Sequence, residues 1–155
     1  MIKKITFERI IPYWNILWKQ YEGCKINKVN LDSQKNYVHR AYKYLNQEAI
    51  EKIIKPVYVG YFNDDEIIGV ASGYETNIDW YRIRGLWVNE KYRRNGIATK
   101  IVKYLESKSN TRYIWTVPRQ TALKFYQSNG FEIDGVYKTE HNITFYFATK
   151  NYENY

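Results

Sequence analysis

The sequence has almost none of the residues that build disulfide frameworks or metal centres. It contains one cysteine, Cys24, and two histidines, His39 and His141, among 155 residues. A lone cysteine excludes an internal disulfide and any zinc site built on several thiolates. The two histidines lie far apart, without the short spacing that is typical of metal ligands. We therefore expect no metal in the chemistry of this protein.

Long apolar runs and flexible linkers are also missing. No segment reaches the roughly 18 apolar residues of a membrane-spanning helix. Glu8 and Arg9 interrupt the N-terminal segment before the apolar stretch of a signal peptide develops. With only three prolines and eight glycines, the chain shows no linker-like stretch and no internal repeat. The sequence predicts a single domain over residues 1–155, cytoplasmic, in a reducing compartment and without a membrane partner.

Acidic residues are outnumbered, and the excess of positive charge has two explanations. The chain has 24 Lys and Arg against 16 Asp and Glu, a net charge of +8. Such an excess is typical of proteins with an anionic partner such as nucleic acid. However, the chain is also rich in Lys, Asn, Ile and Tyr, which AT-rich codons encode, so mutational bias would give the same excess. The basic residues do not form a block, which argues against a nucleic-acid-binding tail.

Hydrophobic periodicity predicts a mixed α/β (α+β) domain, with a mixed sheet and helices on both of its sides. Strands are expected at residues 3–9, 57–62, 67–75, 81–88, 112–117, 131–136 and 143–149. Helices are expected from Pro12 to about Gly23, over 33–55, from 97 onward and over 118–128. Pro56 would end the second helix, and Asn63-Asp64-Asp65 would form a hairpin turn.

A short segment after the predicted strand 81–88 has the features of a phosphate-binding turn. It reads Arg93-Arg94-Asn95-Gly96-Ile97-Ala98-Thr99 and leads into a predicted helix. The first turn of a helix has unpaired N–H groups, which suit phosphate oxygens. Small residues at Gly96 and Ala98 would let a pyrophosphate approach the backbone, and two arginines add cationic donors. Alone, the segment fits equally well an ordinary strand-to-helix turn, and it is neither a Walker loop nor a dinucleotide fingerprint.

A second motif, about 30 residues further along, makes the first one specific. The segments Arg93-x-x-Gly96-x-Ala98 and Ala122-x-x-Phe125-Tyr126-x-x-x-Gly130-Phe131 occur in this order. Together they resemble the pyrophosphate loop and the second signature of the GNAT superfamily of acetyl-CoA-dependent N-acetyltransferases. The matches cover about residues 81–131, and the order of predicted elements agrees with the family's fold. The N-terminal half resembles phage-encoded members of that family.

The resemblance implies a central mixed, mostly antiparallel twisted sheet of about six to seven strands, with helices on both faces. It also implies that acetyl-CoA, the acyl-donor cosubstrate, threads between the strands 81–88 and 112–117, which splay apart. Backbone groups of Trp87 and Val88 would contact the pantetheine and the acetyl carbonyl. The pyrophosphate would be held by Arg93, Arg94, Asn95, Gly96, Ile97, Ala98 and Thr99. The family often has asparagine where this chain has Arg119, so we expect a guanidinium contact with coenzyme A there instead.

The resemblance also assigns chemistry. Tyr126 matches the family's usual general acid, which protonates the departing thiolate. Its ordinary pKa of about 10 would keep it protonated at neutral pH. By spacing alone Tyr126 is better explained as a core aromatic, and the family motif is what favours catalysis. For the base, Glu75 is the first candidate, followed by Asp79 and His141, and a chain of ordered waters is the alternative.

Two further groups of side chains have two interpretations each. Arg82 and Arg84 alternate on one face of a predicted strand. They would either clamp a carboxylate or phosphate of the acceptor or form a solvent-facing or ion-paired strand edge. The large aromatics either line an acceptor pocket or, as most do, fill the core. These aromatics are Trp14, Trp18, Trp80 and Trp87.

The residues and the resemblance together favour an N-acetyltransferase that acts on a primary amine of a small molecule or peptide. The positive charge leaves open a nucleic-acid-linked amine, such as aminoacyl-tRNA, as the acceptor. A non-catalytic acetyl-CoA-binding module on the same fold is another alternative. A basic nucleic-acid-binding protein without a cofactor would leave both motifs unexplained. The oligomeric state stays open between monomer and homodimer.

Overall fold

A computed structural model of the protein describes residues 1–19, 37–39, 49–51, 54–77, 79–140 and 142–151. In these ranges the strands are β1 (Ile2–Lys4), β2 (Tyr37–His39), β3 (Ala49–Glu51), β4 (Ile54–Asn63), β5 (Glu66–Asn77), β6 (Trp80–Val88), β7 (Tyr113–Thr116), β8 (Glu132–Glu140) and β9 (Ile143–Asn151). The α-helices are α1 (Phe7–Lys19), α2 (Ile97–Lys108) and α3 (Leu123–Ser128), and short 3-10 turns lie at Glu90–Tyr92 and Gln120–Ala122.

Seven of these strands form one sheet in the order β1-β4-β5-β6-β7-β9-β8. Every neighbouring pair is antiparallel except β6 and β7, which run parallel. The predicted mixed, mostly antiparallel sheet is therefore confirmed. The strands β2 and β3 pair only with each other, as a separate two-stranded sheet.

Helices cover both faces of the sheet, as predicted. Adjacent residues of β5, Val70 and Ala71, point to opposite faces because side chains alternate along a strand. Val70 packs in the cluster that contains Phe7, Ile10 and Trp14 of α1. Ala71 packs in the cluster that contains the buried face of α2, formed as predicted by Ile97, Ile101, Val102 and Leu105.

The first helix begins earlier than its sequence suggests. Strand β1 ends at Lys4, and α1 starts at Phe7, so Pro12 lies inside the helix instead of at its first position. The Thr6 hydroxyl accepts a hydrogen bond from the Arg9 N–H, which caps the new start. Burial of the helix face that carries Phe7 and Trp14 outweighs the backbone hydrogen bond that proline cannot make.

The predicted helix over 33–55 is wrong where the structure describes it. Residues Tyr37–His39 and Ala49–Glu51 pair as antiparallel strands, and Ile54 already belongs to β4. Apolar residues at helical spacing do not reveal which segments pair as strands, and here the pairing between two strands determines the secondary structure. Pro56 does not end a helix but lies at a register shift of β4, a position where a strand tolerates proline. The rest of 33–55, Trp18's side chain and the expected stop at Gly23 lie outside the described residues.

The C-terminal half follows the predictions closely. Asp64 and Asp65 form the turn of the β4–β5 hairpin, and β6, α2, β7, β8 and β9 occur where strands and a helix were expected. The expected helix over 118–128 is shorter, because a 3-10 turn occupies its first part and α3 begins only at Leu123.

Candidate functional site

The two parallel strands separate after a short stretch of pairing. Strand β6 pairs with β7 only at Trp80↔Tyr113, Tyr81↔Ile114 and Arg82↔Trp115. Beyond Arg82, β6 stays paired with β5 as far as Val88, whereas β7 ends at Thr116 and follows β9. A gap therefore opens in the middle of the sheet, between the C-terminal ends of two neighbouring strands.

A bulge in β6 lies beside this gap. Val70 of β5 pairs with Trp87 and Ser72 pairs with Arg84, so Gly85 and Leu86 together face one residue of β5. Gly85 has φ +70°, the left-handed backbone conformation of the glycine at the first position of a G1 bulge. Its carbonyl accepts a hydrogen bond of 2.8 Å from the Trp14 indole N–H. A Cβ at Gly85 would collide with that indole, so the bulge and α1 are fitted to each other.

The loop after β6 is fixed to the strand by hydrogen bonds. The Asn89 side chain accepts from the Lys91 N–H at 3.0 Å and opens the 3-10 turn. The Arg93 Nε donates to the carbonyl of Val88 at 3.1 Å, and the Asn95 amide donates to the carbonyl of Tyr92 at 3.1 Å. These bonds hold the chain in a defined path before α2.

The chain enters α2 through two left-handed residues. Arg94 has φ +67° and Gly96 has φ +74°, and no side chain caps the helix at Gly96. The first hydrogen bond of the helix runs from the Lys100 N–H to the Gly96 carbonyl. The N–H groups of the three residues between them have no intrahelical acceptor, as in every helix start, and an anion would be stabilised there. Open space around Gly96 leaves this approach clear.

A cavity of about 670 Å³ passes through the gap and joins the two faces of the sheet. Its size is in the range of small-molecule sites. At what we call the loop end it is lined by Tyr92, Arg93, Arg94, Gly96, Ile97, Ala98, Thr99, Thr121, Ala122 and Phe125. At what we call the α1 end it is lined by Leu17, Arg82, Arg84, Tyr137 and Phe145. Between the ends lie residues 83, 85–88, 116–119 and 126, with Arg119 bridged to Phe145.

Tyr126 stands between the two ends. It is 5% exposed, and its ring packs edge-on against Phe125 and Phe131, with centroids 5.0 and 5.3 Å apart. Burial raises the pKa of Tyr126 from 10.0 to about 12, and a hydrogen bond with Thr116 acts in the opposite direction. The Thr116 hydroxyl also donates to the carbonyl of Ile83 at 2.9 Å. The phenol is thus protonated at neutral pH and held beside the gap.

Arg82 and Arg84 both line the α1 end. Arg82 is 8% exposed, and its guanidinium lies 4.6 Å from the ring centroid of Trp115. Arg84 is partly exposed, and its charge lowers the pKa of Tyr58 against the larger effect of burial, which raises that pKa to about 12. Neither arginine is therefore a simple solvent-facing residue.

The acidic candidates lie elsewhere. Glu75 is not among the residues that line the cavity, and its carboxylate faces Tyr81, whose pKa it raises together with the larger effect of burial. Tyr81 belongs to the cluster on the α2 face, so Glu75 lies on the side of the sheet away from Arg82. Asp79 is exposed in the turn before β6, and His141 lies outside the described residues. These positions do not support Glu75 as a base at the cavity.

The sequence singled out most of the residues at the loop end, but not several others that line the cavity. The structure places Trp87, Val88, Arg93, Arg94, Gly96, Ile97, Ala98, Thr99 and Arg119 on one cavity, and Asn95 stabilises the loop behind it. Thr116, Tyr137 and Phe145 carried no local signal, because they reach the cavity only through strand pairing. Gly85 did carry one, since a glycine inside a predicted strand indicates a bulge or a close approach. Of the aromatics, Trp87 lines the cavity, while Trp14 and Trp80 are core residues.

No described helix is long and apolar enough to cross a bilayer. No group of three potential metal ligands occurs in that part of the chain either.

Comparison with protein families gives one match. Residues 13–131, more than half of the chain, match the model of the acetyltransferase (GNAT) family. No curated protein matches the sequence significantly.

Solved structures share the fold at low sequence identity. A GNAT family acetyltransferase from Elizabethkingia anophelis with acetyl-CoA bound has a TM-score of 0.66 and 18% identity, covering 97% of each chain. An aminoglycoside 6'-N-acetyltransferase complexed with coenzyme A has a TM-score of 0.68 and 14% identity, covering 97% of this chain and 96% of that one. An IAA acetyltransferase from Bacillus cereus has a TM-score of 0.67 and 16% identity, covering 97% and 98%. The resemblance to phage-encoded members stays a prediction.

Proposed function

Since the chain belongs to the GNAT family of acetyltransferases, we propose that it transfers an acetyl group from acetyl-CoA to a primary amine of a small molecule or peptide. The observation that carries this proposal is the cavity through the split sheet. It joins a helix N-terminus flanked by arginines to a buried tyrosine and to a second opening on the α1 face.

The loop end would hold the donor. Two neighbours of the same fold contain coenzyme A or acetyl-CoA, which supports acetyl-CoA as the cosubstrate here. The N–H groups at the start of α2 and the side chains of Arg93 and Arg94 would bind the pyrophosphate. Arg119 precedes the 3-10 turn before α3 and would give a further cationic contact. Backbone groups of Trp87 and Val88 would contact the pantetheine arm and oppose charge that develops on the thioester oxygen.

Acetyl-CoA supplies an activated thioester, and the amine nitrogen forms its new bond to the acetyl carbon as the carbon–sulfur bond breaks. Tyr126 would protonate the departing thiolate. Its raised pKa ensures that the proton is present, but it also makes the phenol a weaker acid. The Thr116 hydroxyl, which donates to the Ile83 carbonyl while the phenol is protonated, would turn its proton to the phenolate as it forms and so partly restore the acidity of Tyr126.

We propose that the amine loses its proton without the help of a base in the cavity wall. Among the described residues that line the cavity there is no carboxylate and no imidazole. A lysine-like amine with a pKa of about 10.4 is less than about 0.1% neutral at pH 7, so a proton must leave before attack. We propose ordered water as its route, in place of Glu75.

The first test is calorimetric titration with acetyl-CoA, followed by an assay of thiol release over a panel of amines. We expect affinity of about micromolar, retained by Arg9→Gln, an exposed arginine outside the cavity, and lost by the double variant Arg93→Ala, Gly96→Glu. A folded wild type that does not bind acetyl-CoA would overturn the proposal.

The same assay separates the alternatives. Binding without transfer to any amine would favour a non-catalytic acetyl-CoA-binding module. Competition by RNA, with a steep dependence on salt, would favour a nucleic-acid-linked acceptor instead of a small amine or peptide.

A further inference from the structure

The charge of the cavity wall is one-sided. Five arginines line it, and none of the described residues that line it is aspartate, glutamate or histidine. The five are Arg82, Arg84, Arg93, Arg94 and Arg119. Cationic side chains along a cavity favour anionic over cationic ligands.

The arginines are distributed along the cavity. Arg93 and Arg94 lie at the loop end, where the phosphates of the donor would account for them, and Arg119, bridged through its backbone to Phe145, lies between the ends. Arg82 and Arg84 lie on β6 before the bulge, at the α1 end, on the face of the sheet opposite to α2. Phosphates bound at the loop end would therefore not contact these two arginines.

Arg82 is built into its position. It is 8% exposed, and its guanidinium stacks over the ring of Trp115. The Trp115 indole N–H donates to the Thr76 hydroxyl at 3.2 Å, which fixes the ring that Arg82 lies on. Stacking uses the flat face of a guanidinium, while its N–H donors lie in the plane of the group, where they suit a carboxylate or phosphate.

From this arrangement we infer that the acceptor is a small amine that also carries a carboxylate or a phosphate, bound by Arg82 and Arg84 at the α1 end. The inference rests on the proposed acetyl transfer. Tyr137 and Phe145 add aromatic surface to the same opening and would contact an apolar part of the acceptor. Polycationic amines are disfavoured, because the described wall offers them no carboxylate.

The test compares matched amines at saturating acetyl-CoA, with thiol release as the readout. One pair is phenylalanine and phenylalaninamide, another is O-phosphoethanolamine and ethanolamine, and spermidine represents polycations. We expect kcat/KM to be at least about tenfold higher for the anionic member of a pair. The pair that shows the larger ratio distinguishes carboxylate from phosphate. Phenylalaninamide has the more acidic ammonium, so a site indifferent to the anion would favour the amide.

Variants assign the preference to its residues. Arg82→Gln should lower kcat/KM for the anionic amines by about 10- to 100-fold without changing the KM for acetyl-CoA. Arg82→Lys should retain part of the wild-type kcat/KM for these amines, and the Arg9→Gln control should retain all of it. Arg84→Gln, at a partly exposed position, gives a second test if the buried substitution impairs folding.

The outcomes also separate this inference from the proposed function. Preference for the amide, ethanolamine or spermidine, or an unchanged preference in both arginine variants, overturns the inference alone. Acetyl-CoA binding without transfer to any amine overturns the proposed function. In that case the same pairs are titrated into the complex of protein and coenzyme A, and equal binding of the two members overturns the inference as well.

Discussion

The two ends of the cavity are built in different ways. The loop end comes mainly from one continuous stretch, Tyr92–Thr99, and much of it is backbone in a conformation fixed by Arg94, Gly96 and the start of α2. The α1 end comes from side chains of α1, β6, β8 and β9, which meet only in the folded sheet. A binding surface built from one continuous segment can be recognised as a local sequence motif, whereas a surface assembled from several elements depends on tertiary packing.

Tyr126 lies between the ends, and its removal gives the largest expected effect. Tyr126→Phe keeps the ring and its packing on Phe125 and Phe131 but removes the acidic proton. We expect kcat to fall by about ten- to 10⁴-fold while calorimetric affinity for acetyl-CoA hardly changes. Unchanged turnover would show that Tyr126 is not the general acid. A loss of affinity for acetyl-CoA would show that Tyr126 also contributes to binding of the donor.

A side chain at Gly85, in the bulge between the loop end and the α1 end, should destabilise the protein. Gly85→Ala would combine a left-handed backbone with a collision against Trp14 and lower the free energy of unfolding by about 2–5 kcal/mol. Gly135→Ala is the matched control, because Gly135 also has a positive φ, +100°, but open space around it. We expect a loss of about 1 kcal/mol there. Equal losses in denaturant unfolding would mean that Trp14 does not constrain the bulge.

Burial of Tyr126 should make stability fall at high pH. Because its pKa is about 12 in the folded protein and 10.0 when exposed, its contribution is complete below pH 10 and is lost as the pH rises through 12. Two pKa units correspond to about 2–3 kcal/mol. Chemical unfolding from pH 9 to 12 should therefore show a shallower decline for Tyr126→Phe than for the wild type. Parallel declines would contradict the burial of the phenol.

The smallest expected effect concerns Thr116, which we propose to act through Tyr126. Thr116→Val keeps the shape and removes the hydroxyl, and we expect kcat to fall by about 3- to 30-fold with an unchanged KM for acetyl-CoA. Thr116→Ser should retain most of the activity. In the Tyr126→Phe background the valine should lower kcat much less, since only the bond to the Ile83 carbonyl is then left to lose. Additive losses would show that Thr116 acts independently of the phenol.

The contrast between the ends also explains what the sequence could predict. Gly96 and Tyr126 belong to contiguous motifs, and the structure places both on the cavity; the buried stripe of α2 follows from helical spacing and is confirmed. Glu75 was placed on the correct strand, but which side of the sheet it faces depends on the register with β6, which a sequence does not display. Thr116 reaches the cavity only because β7 ends where β6 continues. The prediction of a helix over 33–55 was wrong for the same reason, since Tyr37–His39 pairs with a strand twelve residues further on, at Ala49–Glu51.

The short contact between β6 and β7 has a consequence for cooperativity. In the described part of the chain, three residue pairs join β1-β4-β5-β6 to β7-β9-β8 in the sheet. The backbone pairing between these two groups of strands is thus short, and a donor lying in the gap would connect them along the rest of its length. Folding and donor concentration would then be coupled, with a gain of about 2.7 kcal/mol at one hundred times the dissociation constant. Amides of β6 beyond Arg82 should exchange with solvent faster than those of β5, and acetyl-CoA should slow them selectively.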